Sequence, residues 1–213
     1  MRDTTEEIEK FWDIKNLGRQ NKKKQESSFA RKAWSFIQKN KIHHMLEIGS
    51  GRGRDTSFFK QKRLDVTALE ISSEAIKLLK EEIPELNTIH ADVFEALSKI
   101  SDSMFDCVYA RLSLHYFNDD KIREIFKNLY RILPVGGFVF IENKSTKDFK
   151  FGRGEKISEN AYRETPENPI NYFFSTNDMQ KLATQFEIVE ISESTEINTD
   201  SNTNAYVSLI AKK

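Results

Sequence analysis

Apolar residues near the start of the chain recur at helical spacing. Thr4 and Glu7 form a capping box ahead of a first helix that runs to about Leu17. A second helix is expected over Ser28–Asn40, with Phe29, Ala33, Phe36 and Ile37 on one side. The periodicity then changes. His43–Ile48 reads as a strand, Arg52–Lys62 as a helix, Leu64–Glu70 as a second strand, and Ile76, Leu79 and Ile83 mark a helix starting near Ser72. Thr88–Ala91 and Met104–Ala110 give two more strands. Asp119 is expected to cap a helix with Ile122, Ile125, Phe126, Leu129 and Tyr130 on one face, and Pro134 with Gly136–Gly137 turns the chain into a fifth strand, Phe138–Glu142. Ser175 and Asp178 open a last helix. Glu187–Ser194 and Ala205–Ala211 then follow with only a polar turn between them, the pattern of an antiparallel hairpin.

Strands alternating with helices predict an α/β, doubly wound parallel sheet with right-handed crossovers. Five such strands and a terminal hairpin make it seven-stranded. The 213 residues fit one domain. Its expected parts are an N-terminal helical cap (1–41), a core (42–143), a long loop segment (144–174), and a C-terminal helix with the hairpin (175–213). That loop segment carries Phe149, Phe151, Tyr162, Tyr172, Phe173 and Phe174, and an irregular stretch of its length is commonly a substrate lid or binding loop.

Lysine plus arginine and aspartate plus glutamate both number 33, so the formal charge is zero; a histone-like cation and an acidic disordered tail are excluded. The basic residues nonetheless crowd into Lys15–Lys41, which is either a solvated helix face or a dock for an anionic polymer. The longest uncharged stretches fall far short of the roughly 20 apolar residues of a membrane span, and the charged opening shows no secretory signal. One cysteine, Cys107, suits a reducing cytoplasm. Four histidines without HExxH or CxxC spacing give no metal site.

Three of the eight glycines, Gly49, Gly51 and Gly53, lie in LEIGSGRGRD, directly after an apolar strand and before a helix. This is where a doubly wound sheet places its ligand, and glycine there permits positive φ and close approach of ligand to backbone. No glycine is followed by lysine, so a phosphate-cradling P-loop is absent. A nicotinamide fingerprint would need Gly or Ala at position 54, which is Arg54, although Glu70 fits that motif's acidic partner.

LEIGSGRGRD, the acid ending the second strand in VTALE, and HADVF after the third strand together resemble class I S-adenosylmethionine-dependent methyltransferases over roughly Met45–Ser145. The GRGRD helix start and NYFFS before the last helix are similar to the tellurite-resistance and thiopurine-type small-molecule group. The resemblance implies a Rossmann-like core with S-adenosylmethionine as cofactor. Its ribose hydroxyls would meet Glu70 beside Ile71, and its adenine amine Asp92, with Val93 beside the ring. Its methionine end would lie over Gly49, Ser50 and Gly51 ahead of Gly53, with Glu47 ordering the loop or binding the amino group and Ala110 bordering the same end. Taken alone, Glu70 reads equally as a strand-end acid and Asp92 as a helix cap.

ARLSLHYF follows the fourth strand, facing the transferred methyl by the same resemblance. It offers His115 as a general base or a packing residue, Arg111 as a holder of an anionic acceptor or an ion-pair partner, and Tyr116 as a substrate contact. The expected activity is methyl transfer to a small-molecule acceptor by a cytoplasmic monomer or homodimer, with no membrane or nucleic-acid partner. RNA or protein methylation through the basic stretch and a nicotinamide-dependent oxidoreductase are the alternatives.

Overall fold

The computed structural model of the protein describes residues 4–17 and 25–213. The chain order begins with α1 (Thr5–Asn16) and α2 (Ser28–Lys39), then β1 (His44–Ile48), α3 (Arg54–Gln61), β2 (Asp65–Glu70), α4 (Ser73–Glu82), β3 (Asn87–His90), α5 (Val93–Lys99) and β4 (Cys107–Arg111). A single 3-10 turn at Leu114–Tyr116 leads to α6 (Asp119–Ile132) and β5 (Phe138–Lys144). Three short strands follow, β6 (Glu155–Ser158), β7 (Ala161–Arg163) and β8 (Asn171–Tyr172), then α7 (Thr176–Leu182), β9 (Glu187–Ile197) and β10 (Thr203–Lys212).

The main sheet has seven strands in the order β3-β2-β1-β4-β5-β10-β9. β1 to β5 run parallel, while β10 pairs antiparallel with both β5 and β9. Successive side chains of β1 point to opposite faces, so Leu46 and Ile48 enter one core and Met45 the other. One face packs against α5, α6 and α7, the other against α2, α3 and α4. α6 buries Ile122, Ile125, Phe126, Leu129 and Ile132. Its cap is Asn118, whose side chain accepts from Lys121 N; Asp119, expected to cap it, sits in the first turn.

Two further differences from the expected elements have physical causes. α5 is one helix more than the apolar spacing indicated. It has seven residues, too few for a repeating stripe, and its signal is the cap: Asp92 accepts from Phe94 N at 2.8 Å. The expected irregular segment 144–174 contains the antiparallel sheet β6-β7-β8, with strands of two to four residues that cannot display alternation. Phe151, Tyr162 and Phe173 pack edge-to-face on one another there, and Phe174 is buried in the main core. These aromatics therefore pin the segment down.

Candidate cofactor site

The glycine loop joins β1 to α3 at the carboxyl end of the sheet. Gly49 has φ +72°, and a Cβ there would lie 2.4 Å from Ser113 Cβ. Ser113 approaches so closely because its hydroxyl donates to Ile48 O at 2.8 Å, tying the segment after β4 to the end of β1. Gly51 has φ +54° and nothing within 4 Å of its would-be Cβ, so it opens onto free space. Gly53, at φ +76°, is the left-handed residue from which α3 starts, two positions later than expected. A Cβ at Gly53 would strike Leu79 Cδ1 at 2.1 Å.

Glu70, at the end of β2, is 8% exposed. Its carboxylate accepts from Gly51 N at 2.8 Å and from Ile71 N and Ser72 N at 2.9 Å each. Those three bonds fix the carboxylate against the glycine loop and leave part of its acceptor capacity unused. Burial still raises its pKa above the usual range, against the pull of these N–H groups, and the Asp13 charge adds to the rise.

These groups line a cavity of about 350 Å³ with Ile71, Asp92, Val93, Leu112, Ser113, Tyr116 and Phe117. Its remaining wall is α1, through Ile8, Trp12, Lys15 and Asn16. α1 buries none of its own residues. What holds it is Asp13, which accepts from Ser72 Oγ at 2.7 Å, Ser73 Oγ at 3.0 Å and Glu74 N at 3.2 Å at the start of α4. Trp12 meets Tyr116 edge-on at 5.4 Å. Sequence reasoning noticed Trp12 but not Asp13 or Ser113; a lone acid on a polar helix and a loop serine carry no local signal of a partner dozens of residues away.

A second cavity, about 440 Å³, shares Gly49 and Arg52 with the first and adds Glu47, Ser50, Gly53, Arg54, Asp55, Tyr109 and Arg111. Asp55 is saturated by Ser27 N, Ser27 Oγ and Tyr109 Oη, each at 2.8 Å, and by Arg54. Although burial works to raise its pKa, these donors and the Arg54 charge hold it low. Arg111 is buried in an ion pair with Glu142 at 2.6 Å and lies over the Tyr206 ring.

The predicted site residues thus divide. Gly49, Gly51, Glu70, Ile71, Asp92, Val93 and Tyr116 converge on the first cavity, while Glu47, Ser50, Gly53 and Arg111 converge with Gly49 on the second. Ala110 is buried within β4 and lines neither. His115 is 1% exposed and lines neither. Burial first, and then the Lys144 charge, keep it neutral well below the usual imidazole range.

Residues 45–137 match the family model described as a methyltransferase domain. That match spans less than half of the chain and supports the methyltransferase reading of the glycine loop over the nicotinamide one. The chain is 29% identical over 125 residues to phosphoethanolamine N-methyltransferase 1 of Triticum aestivum. That match covers 56% of this chain but a quarter (25%) of the wheat protein's length. In three dimensions the chain is similar to a SAM-dependent methyltransferase from Methanosarcina mazei (TM-score 0.67, 20% identity, 79% of this chain and 91% of that one). It is also similar to TehB from Haemophilus influenzae (TM-score 0.65, 18% identity, 88% and 62%). The chain has the seven-stranded, mostly parallel sheet and the antiparallel last strands expected of it, and no helix among the described residues is long and apolar enough to cross a membrane.

Proposed function

We propose that the protein transfers a methyl group from S-adenosylmethionine to a small-molecule acceptor. The observation that carries this reading is the convergence of Gly51, Glu70, Asp92 and Val93 on one cavity at the carboxyl ends of β1, β2 and β3. The residues present fit the cofactor. Gly51 leaves open space beside the loop, Glu70 keeps unused acceptor capacity for ribose hydroxyls, and Ser50, on the wall of the second cavity, has a buried hydroxyl without a partner among the described residues. In this reading the nucleoside end lies against Glu70, Ile71, Asp92 and Val93, and the amino-acid end passes Gly49 toward Glu47 and Ser50. The bound cofactor supplies a methyl carbon activated by a sulfonium.

The chain's own task is then to hold a nucleophile in line at roughly 3–3.5 Å and keep water away. α1, clasped through Asp13, and Tyr116 with Trp12 form the cover over the first cavity. The 144–174 segment is the acceptor's lid. Its residues Arg163 and Pro166–Pro169 face Glu7, Ile8 and Phe11 of α1 across a space of about 250 Å³, and Ile8 lines that space and the cofactor cavity alike. Arg111, held by Glu142, presents its charge at the edge of the second cavity. His115 is a packing and positioning residue beneath Tyr116, whose ring it meets at 4.1 Å.

We place the protein in the cytoplasm as a monomer or homodimer with a small acceptor rather than RNA or a protein. The wheat relative is named for phosphoethanolamine, such a molecule. Of the basic stretch, Arg19 and Lys22 to Lys24 lie outside the described residues; Lys32 pairs with Glu190 and Arg31 with Glu26. A panel of small nucleophiles assayed by S-adenosylhomocysteine release tests the proposal. Turnover of one or more supports it. Turnover only of RNA, with affinity falling steeply as salt rises, would replace it with the polymer reading.

A further inference from the structure

Of the four acids that line the second cavity, Glu26, Glu47, Asp55 and Glu82, the two buried ones are not equivalent. Asp55 has donors on both oxygens and a guanidinium beside it. Glu47, 3% exposed on β1, has one hydrogen bond among the described residues, from Thr56 Oγ1 at 2.6 Å. The cations near it are committed elsewhere, Arg54 to Asp55 and Arg111 to Glu142. The other titratable or charged groups around it are Asp55 on α3, Glu70 on β2, Tyr109 on β4, and Glu26 and Arg52 on the cavity wall. Burial pushes the Glu47 carboxyl up to about 8; the Thr56 hydroxyl and Arg54 oppose this, and the Asp55 and Glu70 charges add to it. A buried acid with one neutral donor and anionic neighbours holds its proton until a cation arrives.

Gly49 and Arg52 line both cavities. A ligand whose nucleoside lies against Glu70 and Asp92 would carry its α-ammonium group past Gly49 to Glu47. We propose that cofactor binding is proton-coupled through Glu47: the neutral acid of the free protein becomes a carboxylate paired with the ligand's ammonium, and its proton leaves to solvent. The balance is one carboxylic acid and one ammonium going to one carboxylate–ammonium pair and one released proton. The inference rests on reading the first cavity as the cofactor site.

A distinctive sign change follows. The α-amino group of a free amino-acid tail sits beside a carboxylate, so it is more basic than the roughly 7.7–8.0 of a chain terminus. Near neutral pH the free ligand therefore already carries its ammonium, and binding releases the Glu47 proton. Well above that range Glu47 is already ionised while the ligand must regain a proton, so binding takes one up. An opposite charge lowers a carboxyl pKa by about 1–3 units, so release at pH 6.5 should be between about 0.2 and 0.9 proton. Affinity should rise roughly three- to twentyfold from pH 6 to pH 7.5.

The test is titration calorimetry of the full chain with S-adenosylhomocysteine at pH 6.5, 8 and 9, each in two buffers of different ionisation enthalpy. The expected result is release at pH 6.5 that shrinks through pH 8 to pH 9. Methylthioadenosine, which keeps the nucleoside and thioether but lacks the amino-acid tail, should bind without this exchange. Glu47→Gln should lose the release at pH 6.5. No release in the unmodified protein, equal release with methylthioadenosine, or undiminished release in Glu47→Gln overturns the proposal. Absence of any binding by S-adenosylhomocysteine overturns the cofactor reading itself.

Discussion

At Gly51 and Gly53 the same residue type answers two different demands. Gly53→Ala forces a left-handed alanine into Leu79 Cδ1, so it should cost about 1–3 kcal/mol of stability in urea denaturation. Gly51→Ala meets no neighbour, so its stability loss should be about 1 kcal/mol from φ alone, while its methyl group weakens S-adenosylhomocysteine binding. The reverse ranking would mean that the open face of Gly51 is not the ligand's. Glu70→Ala removes the acceptor and leaves the Gly51, Ile71 and Ser72 N–H groups without it, so cofactor affinity should fall by about 1–3 kcal/mol. Unchanged affinity in a binding titration would put the ribose elsewhere. Glu47 also ties stability to pH. Its folded pKa, about 8, stands above its usual 4.5. Its contribution is therefore fully present below 4.5 and is lost as pH rises through 8. Glu47→Gln should lack that loss, so denaturation midpoints of variant and parent should diverge in the variant's favour between pH 5 and pH 8.5; parallel curves would show Glu47 ionised in the fold.

Among the elements, α1 is the one whose stability is least its own. It is capped by Thr4 and Glu7 but buries no side chain, and Asp13 anchors it to α4. Asp13→Asn should leave the sheet intact and raise the dissociation rate of S-adenosylhomocysteine by roughly three- to tenfold, because exposed polar anchors of this kind contribute on the order of 1 kcal/mol. Stopped-flow fluorescence of Trp12, with Trp12→Phe as the control for the signal of Trp34, reads that rate; no change would show that α1 does not gate the cavity. Helices of two full turns or more and apolar strands of five residues or more were legible from the pattern: α2, α6, β1, β2 and the β9–β10 hairpin all lie where it puts them. α5, a helix of less than two turns, and the strands β6, β7 and β8, of two to four mostly polar residues, were not; their positions come from tertiary packing. The Asn118 cap was missed for a similar reason, as three adjacent Asx residues offer the same hydroxyl-free cap chemistry and only the backbone chooses between them.

For the molecule as a whole, the seven-stranded order places the glycine loop, the β2 acid and the α5 cap side by side although they are spread over residues 49–92. That convergence was legible because each piece sits at the end of a predicted strand. The division into two cavities was not, since it depends on Ser113 reaching back to Ile48 and on α1 closing one side. The sequence left His115 open between a base and a packing residue; in the fold Tyr116 packs against its ring, and burial with the nearby Lys144 charge keeps it neutral. The central claim is that the first cavity holds the nucleoside of S-adenosylmethionine with its tail directed to Glu47. A crystal structure with S-adenosylhomocysteine tests it most directly. The account predicts ribose oxygens within hydrogen-bond distance of Glu70, the adenine amine at Asp92, and the ammonium at Glu47. A nucleoside found outside these contacts, or a dinucleotide lying across Gly49–Gly51, would contradict it.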